Sequence, residues 1–354
     1  MLTPAAKQKH PRVSVILVNW NGLVHLPECL ASLQNQIFRD FEVILVDNGS
    51  TDDSVAYVLE HHPWVKLIAL GKNTGFATGN NRGFEQAHGD YLVTLNNDTR
   101  VAPDWLETLV SVADAYPAAG MVGSRIVNFD EPDIIDSLGL AICLDGMARG
   151  RYRNRRWSTL CLNDVEDILA PSACAALYKR KMLAVTGFFD DDFFAYCEDV
   201  DLGLRGRLAG WSAVLATEAV VYHKYSQTGG RLSPFKIRLV ERNHFWAAIK
   251  TLPAPWLWAL PATTALRYVR QLQSLCCRQG TGGQARGQGS SLKLLFAALQ
   301  GTFEALCASP TFFRKRQQIM KSRTLSSRAM TALLKKHRLS FRALFDMAPP
   351  VEKR

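Results

Sequence analysis

Five short apolar runs, rich in β-branched residues, punctuate the first 130 positions of the chain: Val13–Val18, Phe41–Val46, Val65–Leu70, Tyr91–Leu95 and Met121–Val127. Apolarity that is continuous rather than alternating marks strands covered on both faces. Between them, Leu26–Asn35, Asp53–His61, Gly79–His88 and Trp105–Tyr116 carry apolar residues at helical spacing. The alternation predicts repeated βαβ units, and hence an α/β fold: a doubly wound, mostly parallel sheet with helices on both faces. A further strand running into a helix is expected in "SACAALYKR", Ser172–Arg180. Asn128–Ile168 shows little periodicity, and its basic run Arg149–Arg156 reads as a solvated surface. From about Ser233 the pattern turns helical and basic, broken by a Gly-rich linker at Gly280–Ser291.

Ligands of such sheets bind beyond the carboxyl ends of the strands, and there the sequence becomes unusual. The first strand ends in Asn19-Trp20-Asn21-Gly22 and the second in Asp47-Asn48-Gly49-Ser50-Thr51-Asp52. The third feeds the Gly- and Asn-rich stretch Gly71–Phe84, and the fourth ends in Asn96-Asn97-Asp98. Asn and Asp close turns by bonding their own backbone, which accounts for any one of these loops alone. Four at one edge exceed what turns require. Neither familiar phosphate loop is present: Gly75, Gly79 and Gly83 are spaced GxxxGxxxG rather than GxGxxG, and Gly71-Lys72 lacks the other residues of a P-loop. A metal nucleoside-diphosphate site fits the loops together. Asp47 can accept from a base N–H or a ribose hydroxyl, the Asn73–Gly83 loop lets backbone approach the nucleotide, and Asp98 can hold a hard divalent ion on the diphosphate.

A second constellation is Glu198-Asp199 followed by Asp201. Acids in the first turn of a helix complement its dipole, which is the structural reading. The functional one is that carboxylates crowded beside Asp190–Asp192 and among Phe188, Phe189, Phe193 and Phe194 repel and desolvate one another, which raises proton affinity. That is what a general base for a sugar hydroxyl needs. His223 ends the strand-like "EAVVYH", either as a polar cap or as a further ligand of an ion on Asp98.

The 354 residues, 47% apolar and 21% charged, suffice for one large domain or two and exclude a disordered chain. Eight cysteines without a CxxC pair, and no signal-like segment before Val13, lead us to expect free thiols in the cytoplasm. Charge divides the chain. Residues 1–230 hold 20 Lys and Arg against 28 Asp and Glu, whereas residues 231–354 hold 22 against 4, a net of +18. No stretch reads as a spanning helix. Apolar residues at helical spacing in the basic part, with no nucleic-acid motif beside them, lead us to expect helices lying on an anionic membrane surface at the inner face of the cell membrane, and no nucleic acid as partner.

Taken in order, "VSVILVNWNG", "VDNGSTD", "NTGFATGNNRGF", "GDYLVTLNNDT", "GFFDDDFFAYCEDVDLGLR" and "VVYH" resemble the inverting family 2 glycosyltransferases of the GT-A fold, above all rhamnosyltransferase-like bacterial members that build cell-surface polysaccharide. The resemblance spans Val13–Leu252. It implies a catalytic domain at 1–230, a basic helical C-terminal region at 231–354, and transfer of a sugar from a nucleotide-diphosphate donor to a saccharide or lipid-linked acceptor. It places Asn19, Trp20, Asn21 and Asp47 around the nucleoside, with Asn73, Gly79, Asn81 and Asn97 also on the donor. Asp98 and His223 take the metal, Mg or Mn. Asp199 becomes the base, with Glu198 and Asp190 beside the acceptor or supporting the residues that meet it. The first Asp of the DxD signature is Asn96 here, which leaves Asp98 as the only carboxylate of that motif. Two rival readings are a sugar-nucleotide-binding scaffold without turnover, and a nucleotidyltransferase.

Overall fold

A computed structural model describes residues 10–224, 233–276 and 291–345; the linker expected at Gly280–Ser291 lies, but for Ser291, outside them. The first half alternates as its pattern requires: β1 Val13–Asn19, α1 Leu26–Gln34, β2 Phe41–Asp47, α2 Ser54–His61, β3 Lys66–Ala69, α3 Gly75–Glu85, β4 Tyr91–Asn96, β5 Thr99–Val101, α4 Trp105–Ala115 and β6 Ala119–Asn128. Helix α3 begins four residues earlier than its spacing predicts. Asn73 Oδ1 accepts the Gly75 N–H at 2.9 Å and Asn48 Oδ1 the Thr74 N–H at 2.8 Å, so side chains satisfy donors that a helix start leaves open.

Then follow β7 Ile135–Ser137, β8 Leu140–Ile142, β9 Ala148–Gly150, β10 Val165–Asp167, β11 Ala175–Lys179, α5 Arg180–Thr186, α6 Glu198–Leu208 and β12 Ser212–His223. The main sheet runs β10-β12-β6-β11-β4-β1-β2-β3. β3, β2, β1 and β4 are parallel, β11 is antiparallel to β4 and β6, and β12 is parallel to β6. Successive residues of β1 serve opposite layers. Val15 and Leu17 pack with Leu30 of α1 and Trp105 of α4, while Ile16 packs with Ala77 of α3 and Phe189. Both faces are covered, which is why the run is apolar throughout. The short β5 pairs antiparallel with the end of β12, setting His223 opposite Thr99 and hence beside Asp98.

Helices α7 Pro234–Thr251, α8 Ala254–Cys276, α9 Ser291–Lys321, α10 Ser327–Lys336 and α11 Phe341–Phe345 complete the described chain. Helices α7 to α10 share a core with α6: Val200, Leu204 and Leu208 are buried with Trp246 of α7, Leu252 just after it, Phe312 of α9 and Leu334 of α10. Full burial of one such side chain is worth about 1.5–3 kcal/mol, so the C-terminal helices contribute to holding α6 in place. Among the described residues no helix is long and apolar enough to cross a membrane. Cys29, Cys143, Cys161, Cys174, Cys197 and Cys307 are free thiols.

Candidate active site

A cavity of about 800 Å³ opens at the carboxyl edge of the sheet; its lining includes Trp20, Asn48, Asn73, Asn97, Asp98 and the Glu198-Asp199 pair. The polar strand ends are knitted to one another. Asn97 Nδ2 donates to Asn19 Oδ1 at 2.7 Å, Asn19 Nδ2 donates to Asp47 Oδ1 at 3.2 Å, and Asp47 Oδ2 accepts the Ser50 N–H at 2.9 Å. Asn21 Oδ1 accepts the Thr51 N–H at 2.7 Å. Asn96–Asp98 is thus a turn between β4 and β5 and a cavity wall together.

Asp98 and His223 face each other, with Oδ1 and Nε2 3.3 Å apart, and His223 Nδ1 lies 2.7 Å from Asp136 Oδ2. Burial works against the imidazolium, yet Cys174, Asp136 and Asp98 together raise the His223 pKa well above its ordinary value. Burial likewise works to raise Asp98, but the hydrogen bond and charge of His223 outweigh it and hold the carboxyl below the usual range. Among the described residues no cluster of three or more His, Cys, Asp or Glu is disposed to hold an ion. The Asp98–His223 pair nevertheless has the chemistry of a two-donor site. With Nδ1 occupied by Asp136, Nε2 is the atom turned to the carboxylate, the arrangement by which a carboxylate orients a metal-binding imidazole. A hard divalent ion that keeps water and phosphate oxygens in its remaining positions fits such a pair.

At another part of the same lining, α6 presents its first two residues. Asp199 accepts the Ala173 N–H at 3.3 Å and the Val200 N–H at 2.8 Å and keeps part of its surface open. Burial raises its pKa, and these backbone donors offset only part of that rise. Glu198 is buried, its Oε2 has no hydrogen-bond partner, and burial together with the charge of Asp199 raises its pKa well above the glutamate value. Of the two carboxyls Glu198 holds its proton more tightly, and Asp199, the open member, gives its proton up more readily.

Several residues expected at the site are elsewhere. Asp190 is bound to Lys250 at 2.7 Å and to Lys315, outside the cavity lining. Asp191 accepts from Thr78 and Asn81. The crowding that raises Glu198 thus comes from its neighbour Asp199 and not from the upstream acids, because cations and amides draw those away. Asn81 also ties α3 to the 188–193 loop by donating to Phe189 O at 2.9 Å and accepting the Phe189 N–H at 3.1 Å. A Cβ on Gly79 would lie 2.8 Å from Val18 Cγ1, so that glycine serves helix–strand packing. Asn19, Asn21 and Asp47 bind the loops and do not line the cavity, whereas Trp20, Asn73 and Asn97 do. Asn48, Asp136 and Lys236 line it without having been singled out from the sequence, and Arg149 and Arg153 make part of the supposed solvated run a cavity wall. Arg153 is ion-paired to Asp136, and Arg149 donates to the Leu344 carbonyl at 2.9 Å.

Residues 14–186 match the family model described as Glycosyl transferase family 2. Over 283 residues the chain is 29% identical to an N-acetylglucosaminyl-diphospho-decaprenol L-rhamnosyltransferase of Mycobacterium tuberculosis, covering 72% of this chain and 90% of that one. Among solved structures, S. aureus TarS 1–349 in complex with UDP-GlcNAc superposes with a TM-score of 0.53 at 16% identity over 92% of each chain. In a longer TarS structure the match covers 40% of that chain. GalNAc-T7 with UDP, GalNAc and Mn2+ superposes with a TM-score of 0.59 at 16% identity, over 73% of this chain and 52% of the other. At these identities the structural likeness is one of fold.

Proposed function

The chain belongs to glycosyl transferase family 2, and on that premise we propose that it moves a sugar of the rhamnose class from a nucleoside-diphosphate donor to a hydroxyl of a saccharide or lipid-linked acceptor, with inversion, in the building of cell-surface polysaccharide. The observation that carries this reading is the meeting, in one cavity, of a metal-compatible Asp98–His223 pair and a proton-hungry carboxylate, Asp199. The rhamnose preference rests on the rhamnosyltransferase relative, and the UDP-GlcNAc and UDP complexes of like fold support only a nucleoside-diphosphate sugar as donor.

In this mechanism the nucleotide lies along Trp20, Asn48, Asn73 and Asn97. Asp98 and His223 would hold Mg2+ or Mn2+, with Asp136 keeping the imidazole turned; such an ion would supply charge neutralisation of the diphosphate and so favour its departure. Asp199 takes the proton of the acceptor hydroxyl as its oxygen bonds to the anomeric carbon and the bond to the diphosphate breaks on the opposite face. A single in-line displacement of this kind inverts that carbon. Glu198 holds its proton more tightly than Asp199, which favours the charge on Asp199, where the proton is needed.

The donor and base machinery is assigned to residues 1–230 and membrane contact to the basic helices of 231–354. Trp258, Leu266 and Val269 of α8, with Leu292, Phe296, Leu299, Phe303 and Leu306 of α9, are exposed at helical spacing. Laid in the interface of the inner face of the cell membrane, with Lys and Arg toward anionic lipid at about 1 kcal/mol each, these stripes bring the cavity to a lipid-linked acceptor.

The test is a thermal-shift screen against dTDP-rhamnose, UDP-GlcNAc, UDP-galactose and GDP-mannose with and without Mn2+, followed by product analysis with N-acetylglucosaminyl-diphospho-polyprenol as acceptor. A donor at a hundredfold excess over its Kd adds about 2.7 kcal/mol of stability. Nucleoside diphosphate and an inverted glycoside are expected. Pyrophosphate release would identify a nucleotidyltransferase instead, and stabilisation without product a binding scaffold.

A further inference from the structure

The segment that delivers the acid pair to the cavity has an unusual backbone. Phe194, Tyr196 and Cys197 have φ of 63°, 72° and 66°, a region that L-residues with side chains rarely adopt. Three such residues within four positions immediately precede Glu198, and Cys197 is the N-cap of α6 in the left-handed conformation. A segment of this kind keeps its shape only where its surroundings fix it.

The fixing group comes from α7. Asn243 is fully buried, and its Nδ2 donates to the carbonyls of Phe193 at 2.9 Å, Ala195 at 2.8 Å and Tyr196 at 2.8 Å. Arg242 Nη2 donates to the Phe193 carbonyl at 3.2 Å, and Arg242 Nε donates to Asn243 Oδ1 at 2.9 Å, which orients the amide. The remaining carbonyl, that of Phe194, accepts the Ala77 N–H of α3 at 3.0 Å. On that side Gly75, with φ of +89°, lets the two backbones meet, since a Cβ there would lie 2.4 Å from Phe194 O. Every carbonyl from Phe193 to Tyr196 thus faces a donor, three of them sharing the two N–H groups of one amide.

We infer that Asn243 is a positioning residue for glycosyl transfer: from the C-terminal helical region it clamps the Phe193–Cys197 segment and so sets where Asp199 meets the acceptor. The inference rests on the reading of Asp199 as the base. Asn243 reaches no cavity-lining atom of the acid pair and acts only through the segment. The side chain has to be an amide, because an aspartate would set an acceptor against three carbonyl oxygens.

The experiment compares the full chain with Asn243→Ala and Asn243→Asp, and with Asn243→Ser, which retains one donor, in case the first two do not fold. Transfer is measured from dTDP-rhamnose to N-acetylglucosaminyl-diphospho-polyprenol, or from whichever donor of the screen gives product, together with amide hydrogen exchange of peptides spanning 190–200. A 1 Å misplacement costs on the order of a hundredfold in rate, so kcat is expected to fall ten- to a hundredfold with the donor KM within about twofold, and exchange to quicken at 193–199 while β1 and β4 stay protected. An unchanged kcat, or a loss of donor affinity in step with kcat and quickened exchange throughout the sheet, overturns the inference. Asp199→Asn in the same assay separates the two levels. If it is inactive while the Asn243 variants are not, only the positioning role falls; if it is active, the reading of Asp199 falls.

Discussion

Replacing Glu198 by Gln is expected to stabilise the protein at neutral pH, with a gain that vanishes in acid. Glu198 is buried beside Asp199 with an unpartnered Oε2, and its pKa is held well above the ordinary value by burial first and by that charge second. In the unfolded chain the same carboxyl titrates near 4.3. Between those two pKa values the folded protein holds a proton that the unfolded chain has released. Stability therefore falls as pH rises from the unfolded value to the folded one, by about 1.4 kcal/mol for each tenfold difference in proton affinity, and stays at the lower level above that. Gln has nearly the same shape and no charge, so it escapes this loss. Each kcal/mol corresponds to roughly 2–4 °C in Tm for a domain of 150–250 residues. Thermal unfolding of both proteins in salt-matched buffers from pH 4 to 8.5 should show curves that meet near pH 4 and separate upward, with Glu198→Gln the more stable. A variant equally or less stable at pH 8, or a difference independent of pH, would refute a buried, proton-retaining Glu198. Because Glu198 holds its proton more tightly than Asp199, the variant should also keep its turnover within a few-fold.

Two further outcomes follow from the site and the surface. Asp98→Ala should abolish the Mn2+-dependent part of donor stabilisation, His223→Ala should weaken it less, and Asp136→Asn should cost about 10–100-fold in metal response through the imidazole it orients; an unaltered response in Asp98→Ala would leave Asn96–Asp98 as a turn only. Exchanging Trp258, Phe296 and Phe303 together for Ser should reduce co-sedimentation with phosphatidylserine-containing liposomes at low salt without altering Tm by more than a few degrees, since all three are exposed; equal sedimentation of variant and parent would remove those stripes as the anchor. Truncation near residue 230 is a poorer test, because it uncovers the α6 core that Trp246, Leu252 and Phe312 complete.

The parallel half of the sheet is legible in the sequence because its strands are covered on both faces, so runs such as Val13–Val18 are apolar throughout and stand out from the helices between them. Asp98, His223 and the Glu198-Asp199 pair are legible because Asp98 follows a strand, His223 ends one and the acid pair opens a helix. What cannot be read locally is which polar residue reaches the cavity: Asp47 and Asn81 have the same chemistry as Asn48 and Asn73, and all four bond within the protein, yet only Asn48 and Asn73 line it. Asp136 lies in the stretch without periodicity and reaches His223 only through the pairing of β7 with β6. Asp190 looks like a member of the acid cluster until Lys250 and Lys315, far along the chain, are folded against it. Asn243 is one of several polar residues buried in α7, and the carbonyls it bonds lie 47 to 50 positions away.

The central claim, that Asp199 is the base of an inverting transfer, is tested most directly by Asp199→Asn. The amide keeps the shape of the side chain and removes its capacity to take a proton at neutral pH. In the parent, activity should fall on the acid side at a pH above the usual carboxylate range, since the raised pKa of Asp199 leaves it protonated there. In the variant, transfer from dTDP-rhamnose, or from the donor the screen selects, should drop by about a hundredfold or more while Mn2+-dependent donor binding stays within twofold of the parent. Turnover at the parental rate, with donor binding intact, would contradict the account.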